Sequence, residues 1–241
     1  MVRQPLVAEL ERVIHRIWLG GEMPVQYQTF GSMWESLNMG WSVHDWTESE
    51  LMAIQWDNQE VLEDLYRRDA EHRTVELFVQ VADVLDYELL FRYGGVYVNV
   101  DIEPVKPLSD LNRFVPRGQA WVSREDNAFV VNAAMAGRSG HPFYKAVIDD
   151  LYVRYFANPH GEMNHTTGPR LLTDTHRSWT GEPVVALPVE VFNPIHWKDI
   201  PIGGDATGRH VPATTVGLHH WGHRRDNRTN VIELGVERAN G

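Results

Sequence analysis

The chain has 241 residues, of which 43% are hydrophobic, and a formal net charge of −11. It contains no cysteine, which excludes disulfides, thiolate metal sites and a cysteine nucleophile. The negative charge disfavours a nucleic-acid partner, and no apolar run approaches the ~20 residues of a membrane span. The N-terminus lacks the apolar stretch of a signal peptide, so we expect a soluble, cytoplasmic protein of one domain, residues 1–241.

Three segments in the first part of the chain have the patterns of regular elements. Residues 12–21, RVIHRIWLGG, predict a strand that ends at a Gly-Gly turn, and residues 41–50, WSVHDWTESE, predict a second strand. Thr47 followed by Glu50 three residues later is a capping box, which indicates the start of a helix. From residue 74 to residue 93 apolar side chains recur at helical spacing, and we predict a longer helix there.

Gly94 and Gly95 lead from this helix into a predicted strand, residues 96–100. Later segments with strand patterns are 120–123, 129–136, 183–188 and 214–221, and helical patterns begin at His141 and at Thr167 or Gly168. Helices that alternate with short apolar strands predict an α/β fold.

Polar residues follow the strand at 96–100. On an extended strand, residues two apart face the same side, so Asn99 and Asp101 are expected to share a face. Glu103 would continue that face, but Pro104 indicates that the strand is ending. Oxygen ligands suit a hard divalent cation, although one carboxylate and one amide form a weak site alone. A solvated strand end before a proline turn is the alternative interpretation.

Five segments, in this order along the chain, resemble the family 32 glycosyltransferases: IHRIWLGG, ADVLDYELLFRYGGVYVNVDIEPVKPL, TGPRLLT, LPVEVFNPIHW and GLHHWGH. That family includes capsular-polysaccharide sugar transferases and the yeast initiating mannosyltransferases. The chain is more distantly similar to the glucosylating domain of clostridial toxins. The resemblance spans residues 12–223. It implies a GT-A fold with a mixed central sheet flanked by helices, a UDP- or GDP-sugar donor, a Mn²⁺ or Mg²⁺ ion and retention of anomeric configuration.

The resemblance also assigns a metal site. The stretch Asn99-Val100-Asp101 stands in the place of the family's Asp-x-Asp motif, with Asp101 matching the carboxylate that binds the metal. Asn99 replaces the first aspartate and still offers a carbonyl oxygen to the metal, a ribose or a sugar hydroxyl. His219, with His220 as second choice, matches a late histidine that closes the site. The predicted metal ligands are therefore Asp101, His219 and Asn99.

Further residues are predicted at the donor. Asp83 is kept from the family pattern, whereas Asp86 stands where relatives have an arginine at the donor sugar. Asp86 thus replaces a positive residue and Asn99 replaces a negative one, which resembles a charge exchange within one pocket. Trp18 matches a tryptophan that stacks on the donor base, or it fills the core. Asn132 matches an asparagine near the sugar, or it is an ordinary strand amide. The catalytic residues predicted in this way are Asp83, Asp86, Asn99 and Asp101, and the predicted donor-binding residues are Trp18, Asp83, Asn99 and Asn132.

Two features of the sequence concern the acceptor. Thr167-Gly168-Pro169 would place a helix N-terminus beside the acceptor, while Arg224 and Arg225 are expected to be solvated. We expect a retaining, metal-assisted glycosyltransferase whose acceptor is a glycan, a protein or a modified nucleobase. One alternative is a nucleotide-sugar-binding or glycan-binding module derived from such an enzyme. Another, a glycoside hydrolase, needs two carboxylates across a cleft, and the ordered motifs argue against it.

Overall fold

A computed structural model describes residues 9–201 and 203–222, so that Arg224 and Arg225 lie outside the described residues. The strands are β1 (Val13–Trp18), β2 (Ser42–Thr47), β3 (Gly95–Val98), β4 (Ile102–Pro104), β5 (Trp121–Arg124), β6 (Val130–Gly137), β7 (Val185–Ala186) and β8 (Gly217–His219). The helices are α1 (Val25–Leu37), α2 (Glu48–Met52), α3 (Gln59–Arg68), α4 (Val75–Tyr93), α5 (Pro142–Ala157), α6 (Met163–Thr166) and α7 (Pro169–Ser178). Short 3₁₀ segments occur at Leu108–Arg113, Val189–Val191 and Trp197–Asp199. None of the helices within the described ranges is long and apolar enough to cross a membrane.

Six strands form a mixed sheet in the order β2-β1-β3-β6-β5-β7, and β4 pairs with β8 in a separate ribbon. Strands β1 and β3 are parallel, so their C-terminal ends lie at the same edge of the sheet. Strand β6 runs antiparallel to β3, which brings its first residues to that edge as well. The predicted mixed sheet flanked by helices is confirmed, and it gathers three strand ends at one edge.

Each face of the sheet has its own core. On one face α3, α4, α5 and α7 pack over side chains such as Ile17, Tyr97 and Met135. On the other face Trp34 of α1 and the segments after β4 pack over Ile14 and Val98. The alternation of inward and outward residues along β1 and β3 produces these two cores.

The helix-to-strand connection predicted at Gly94 and Gly95 is confirmed. The φ angle of Gly95 is +92°, and a Cβ atom there would lie 2.5 Å from the carbonyl oxygen of Val13, so only glycine fits. His15 also holds the connection: its Nε2 donates to the Gly94 carbonyl at 2.9 Å, while its Nδ1 accepts from Trp46 Nε1 at 3.0 Å. Burial lowers the pKa of His15 to about 4, which keeps the ring neutral.

The predicted strand at 96–100 is too long. Strand β3 ends at Val98, and the amide of Ile102 donates to the Asn99 carbonyl at 3.0 Å to close a turn. The turn is needed because β4 leaves the main sheet to pair with β8, where Ile102 lies opposite His219. Asn99 and Asp101 are therefore brought together by a turn and not by the alternation of a strand.

Candidate active site

Asp101 and His219 meet beside the sheet edge described above. The chain after β8 lies over the turn that follows β3, where His219 Nε2 is 3.2 Å from Asp101 Oδ1. The amide of Gly222 donates to Asp101 Oδ2 at 2.6 Å, and the amide of His220 donates to the Asp101 carbonyl at 3.0 Å. Both side chains of the pair are buried, so the surrounding backbone fixes their positions.

Asn193 sets the orientation of the His219 ring. Asn193 Nδ2 donates to the Arg124 carbonyl at 2.8 Å, which directs its Oδ1 toward the histidine. That oxygen is 2.8 Å from His219 Nδ1, which must therefore carry a proton and donate it. A ring protonated at Nδ1 alone would present the lone pair of Nε2 to an oxygen of Asp101, so that two acceptors would face each other. A cation, or a second proton on the ring, would stabilise this arrangement.

Asn99 lies in the turn beside this pair, with its amide end turned by Tyr97. The Tyr97 hydroxyl donates to Asn99 Oδ1 at 3.1 Å. Burial, followed by the charges of Asp86 and Asp83, raises the pKa of Tyr97 well above its usual value, so the hydroxyl keeps its proton. This bond uses one of the two lone pairs of Asn99 Oδ1, and the amide nitrogen lies at the other end of the side chain. Metal ligation by Asn99 and its contact with the donor both remain predictions.

Asp83, Asp86 and Asn132 come together under α4. Asn132 Nδ2 donates to Asp83 Oδ1 at 2.8 Å and to Asp86 Oδ2 at 2.7 Å. Asp86 is only 1% exposed, against 8% for Asn132, so it lies behind the amide. A predicted role of Asp86 at the donor sugar would therefore be exerted through Asn132. Because Tyr97 feels the charge of Asp86 and binds Asn99, the two departures from the family pattern border the same region.

The two carboxyl groups of this cluster have shifted pKa values. Burial raises the pKa of Asp83 to about 7, although hydrogen bonds from Asn132 and Thr167 act in the opposite direction. Burial, and then the charge of Asp83, raises the pKa of Asp86 well above its usual value. Both groups bind one amide on one side of the site. They do not face each other across a cleft, which argues against the glycoside hydrolase alternative.

Trp18 is half-buried at the end of β1. Its ring centroid is 5.8 Å from that of Tyr27, and it packs against a small cluster formed by Tyr27, Phe30 and Val100. This cluster is separate from the two main cores and lies at the same sheet edge as Asp101. The Nε1 atom of Trp18 is buried and has no hydrogen-bond partner in the described part of the chain. Its predicted stacking on a base is compatible with this position and stays a prediction.

The predicted start of α7 is confirmed, with Gly168 as N-cap and Pro169 as the first helical residue. Thr167 Oγ1 donates to Asp83 Oδ2 at 3.1 Å, so this helix terminus is joined to the carboxylate cluster. An acceptor beside this helix terminus stays a prediction.

Three residues with clear roles were missed by the sequence analysis. Asn193 lies within the LPVEVFNPIHW segment, and Tyr97 stands two residues before Asn99, a spacing that signals a shared face. Glu88, buried on α4, accepts from the amides of Asn58 at 2.7 Å and Asp57 at 3.2 Å, at the start of α3. Glu88 is thus structural, whereas Asn193 and Tyr97 orient site residues.

The described residues contain no group of three or more His, Asp or Glu side chains placed to hold a metal. Asp101 and His219 would supply two ligands to a bound cation, and any further ligands would come from substrate or water. A groove elsewhere, between the start of β1 and the segment Leu108–Arg113, contains none of the predicted site residues.

The comparisons with known proteins agree with this geometry. Residues 24–121 match the family model described as the glycosyltransferase sugar-binding region containing the DXD motif. Inositol phosphoceramide mannosyltransferase 3 of Schizosaccharomyces pombe is 23% identical over 225 residues, which cover 89% of this chain and 60% of that protein. Lactosylceramide 4-alpha-galactosyltransferase of Rattus norvegicus is 28% identical over 159 residues, 59% of this chain and 41% of that protein. The chain thus spans about three fifths or less of the length of these two relatives.

Solved structures show the fold. The PaToxG glycosyltransferase superposes with a TM-score of 0.54 at 13% identity, and the matched region covers 69% of this chain and 68% of the PaToxG chain. The UDP-bound glycosyltransferase domain of the YGT toxin superposes with a TM-score of 0.51 at 9% identity and covers 70% and 77%. The resemblance to family 32 glycosyltransferases is therefore confirmed as a similarity: residues 24–121 match the model of a DXD-containing glycosyltransferase sugar-binding region, and the fold is of the GT-A type.

Proposed function

We propose that this protein transfers a sugar from a nucleoside-diphosphate sugar to a hydroxyl group of an acceptor, with a divalent cation held at Asp101 and His219. The observation that carries the proposal is the approach of His219 Nε2 to Asp101 Oδ1 at 3.2 Å, with Nδ1 engaged by Asn193. A metal-binding histidine typically donates its other ring N–H to an oxygen in this manner.

The residues present fit a metal ion. One carboxylate oxygen and one imidazole nitrogen suit Mn²⁺ better than Mg²⁺, which prefers oxygen ligands and keeps several waters. A bound divalent cation would neutralise the negative charge that develops on the nucleoside diphosphate as it leaves. Asn193 would hold the histidine in the tautomer that binds metal, and the Gly222 amide would hold the carboxylate.

The donor end is supported by the aromatic cluster at the sheet edge. Trp18 would stack on the base, and Asn99 and Asn132 would contact the sugar, since Asn99 lies in the turn that carries Asp101 and its amide bonds to the residue after Asn132. The bond between the sugar's anomeric carbon and the diphosphate oxygen breaks, and a bond to the acceptor oxygen forms. Retention of configuration rests on the family resemblance alone. In that mechanism the leaving phosphate takes the proton of the acceptor hydroxyl on the same face.

A sugar hydroxyl is the acceptor we propose. The two relatives described above carry names that refer to ceramide lipids, one an inositol phosphoceramide and the other a lactosylceramide. The net charge of −11 disfavours a nucleic-acid acceptor. Glycolipids and free oligosaccharides are therefore the first acceptors to test. The cytoplasm remains our proposed location for the protein.

The proposal is tested by measuring hydrolysis of UDP-glucose, UDP-galactose and GDP-mannose with Mn²⁺ and with excess chelator. One donor should be hydrolysed only with metal, and Asp101→Ala should abolish that activity. Asp110→Ala, which alters an aspartate on a distant 3₁₀ segment, is the matched control. Donor binding without turnover, in the presence of the acceptor panel, would favour a binding module. Full activity of Asp101→Ala would overturn the metal assignment.

A further inference from the structure

We infer that two buried residues, Asp86 and Tyr97, are positioning residues for a pair of amides that read hydroxyl groups of the donor sugar. The amides belong to Asn132, which lies on β6, and Asn99, which directly follows the neighbouring strand β3. One is turned to present its carbonyl oxygen and the other to present its amide nitrogen. The inference deepens the proposed function and rests on it.

Asn132 is held by both of its amide hydrogens. One is donated to Asp83 and the other to Asp86, at 2.8 Å and 2.7 Å. Because the NH₂ group is fully used, the carbonyl oxygen must point away from the two carboxyl groups. That oxygen has no hydrogen-bond partner among residues 9–201 and 203–222. Asn132 therefore presents an acceptor to the site, and Asp86 contributes one of the two contacts that fix it.

Asn99 is turned in the opposite sense. The Tyr97 hydroxyl donates to its Oδ1 at 3.1 Å, which leaves the amide nitrogen as the free end. Tyr97 is the partner of that oxygen, and the amide nitrogen of Asn99 has no hydrogen-bond partner within the described ranges. Asn99 therefore presents donors to the site.

The two amides are close in the fold. The backbone amide of Asn99 donates to the carbonyl of Ala133, the residue after Asn132, at 2.8 Å. The Asn99 side chain bonds to Tyr97, which lies on the sheet face covered by α4. The Asn132 side chain bonds to Asp86, which belongs to α4. An acceptor and a donor side by side match a sugar, whose hydroxyls both donate and accept. Asp86 itself is 1% exposed, so it acts on the sugar through Asn132 and does not touch it.

The inference is tested by replacing individual hydroxyl groups of the donor sugar. The probe is whichever of UDP-glucose, UDP-galactose and GDP-mannose binds most tightly with Mn²⁺, together with its four monodeoxy and four deoxyfluoro analogues. Dissociation constants are measured by calorimetry for wild type and for Asn132→Ala, Asp86→Leu, Asp86→Asn and Tyr97→Phe. Binding of UDP and GDP is measured first with each protein. A deoxyfluoro group cannot donate a hydrogen bond, so it reports on the acceptor role of Asn132.

We expect wild type to lose about tenfold in affinity when one particular hydroxyl is replaced by hydrogen or fluorine. In Asn132→Ala and Asp86→Leu this loss should shrink to within about twofold, because the reading oxygen is absent or no longer fixed. Asp86→Asn keeps a carbonyl acceptor for the Asn132 amide, so the full loss should persist. In Tyr97→Phe a second hydroxyl, the one read by Asn99, should lose its effect.

The result distinguishes this inference from the function on which it rests. If wild type binds neither UDP nor GDP, the proposed function fails and the inference with it. If nucleotides bind but every variant loses affinity for the same deoxy analogues as wild type, and by the same factors, the inference alone is wrong. Should Asp86→Leu not fold, the side-chain amide NMR signals of Asn132, assigned from their absence in Asn132→Ala, provide the test. They should shift little in Asp86→Asn, and an Asn132 NH₂ exposed to rapid exchange with water in wild type would overturn the inference.

Discussion

The orientation of His219 is the single-residue feature on which the metal assignment depends. Asn193 holds the Nδ1 proton of that ring, and the Arg124 carbonyl prevents the asparagine amide from turning over. Outer partners of this kind typically contribute 10–100-fold to metal affinity.

We therefore predict that Asn193→Leu weakens Mn²⁺ binding about 10- to 100-fold, since the ring would lose its fixed tautomer. Asn193→Asp keeps an oxygen acceptor for Nδ1 and should lose much less. Titration of Mn²⁺ into each protein in the presence of UDP provides the measurement. Equal affinities for the leucine and aspartate variants would show that Asn193 does not act through the histidine.

Trp18 supports a second prediction at this scale. A base–aromatic stack is worth about 1–3 kcal/mol, so Trp18→Ala should weaken UDP or GDP binding by roughly 5- to 150-fold. Trp18→Phe retains a ring at the same place and should recover most of the affinity. If Trp18→Ala instead lowers the unfolding temperature and leaves nucleotide affinity unchanged, the side chain fills the core.

Helix α4 is the element in which stability and function meet. It carries three buried carboxyl groups whose pKa values burial raises, among them Asp83 and Glu88, each to about 7. An aspartate in the unfolded chain titrates near 3.8. The folded state therefore keeps protons at pH values where the unfolded chain has lost them.

The difference between the folded and unfolded pKa values determines whether stability rises or falls with pH. We predict that the free energy of unfolding falls as the pH rises from about 4 to about 7. Asp83→Asn removes one titrating group and its effect on Asp86, so its slope over this range should be smaller than that of wild type. Urea unfolding at pH 4.5, 6 and 8 measures both slopes. A slope as steep in Asp83→Asn as in wild type would contradict the assignment.

Elements with local signals were predictable from the sequence, and those without were not. The capping box at Thr47 and Glu50 forms as predicted, and α4 begins at the Thr74 cap and ends at Gly94. Helix α1 was missed because it has no acidic first turn and no side-chain cap. The end of β3 was misplaced because it depends on the pairing of β4 with β8, which is more than 100 residues away along the chain.

The same distinction applies within the site. The sequence identified Asp101 and His219, and it placed Asp83 and Asp86 on one helix face. It did not reveal that Asn132 binds both carboxyl groups, or that the Tyr97 hydroxyl donates to Asn99 Oδ1. These contacts join residues from different elements, and the direction of an amide depends on partners that no spacing rule encodes.

At the scale of the whole molecule, the order and direction of the strands explain why one edge of the sheet holds the candidate site. Parallel β1 and β3 end there, antiparallel β6 begins there, and β8 returns over the turn to supply His219. Ligands of open α/β sheets bind at such strand ends. The account therefore depends on a cation between the β3 turn and the β8 terminus, with the donor extending toward Asn132.

The most direct test is a crystal structure of the protein grown with MnCl₂ and UDP, with data collected at the manganese absorption edge. The account predicts an anomalous difference peak within coordination distance of an Asp101 carboxylate oxygen and His219 Nε2, with the UDP diphosphate bound to the same ion. A peak at another place, or UDP bound away from Asp101 with no anomalous signal beside His219, would contradict it.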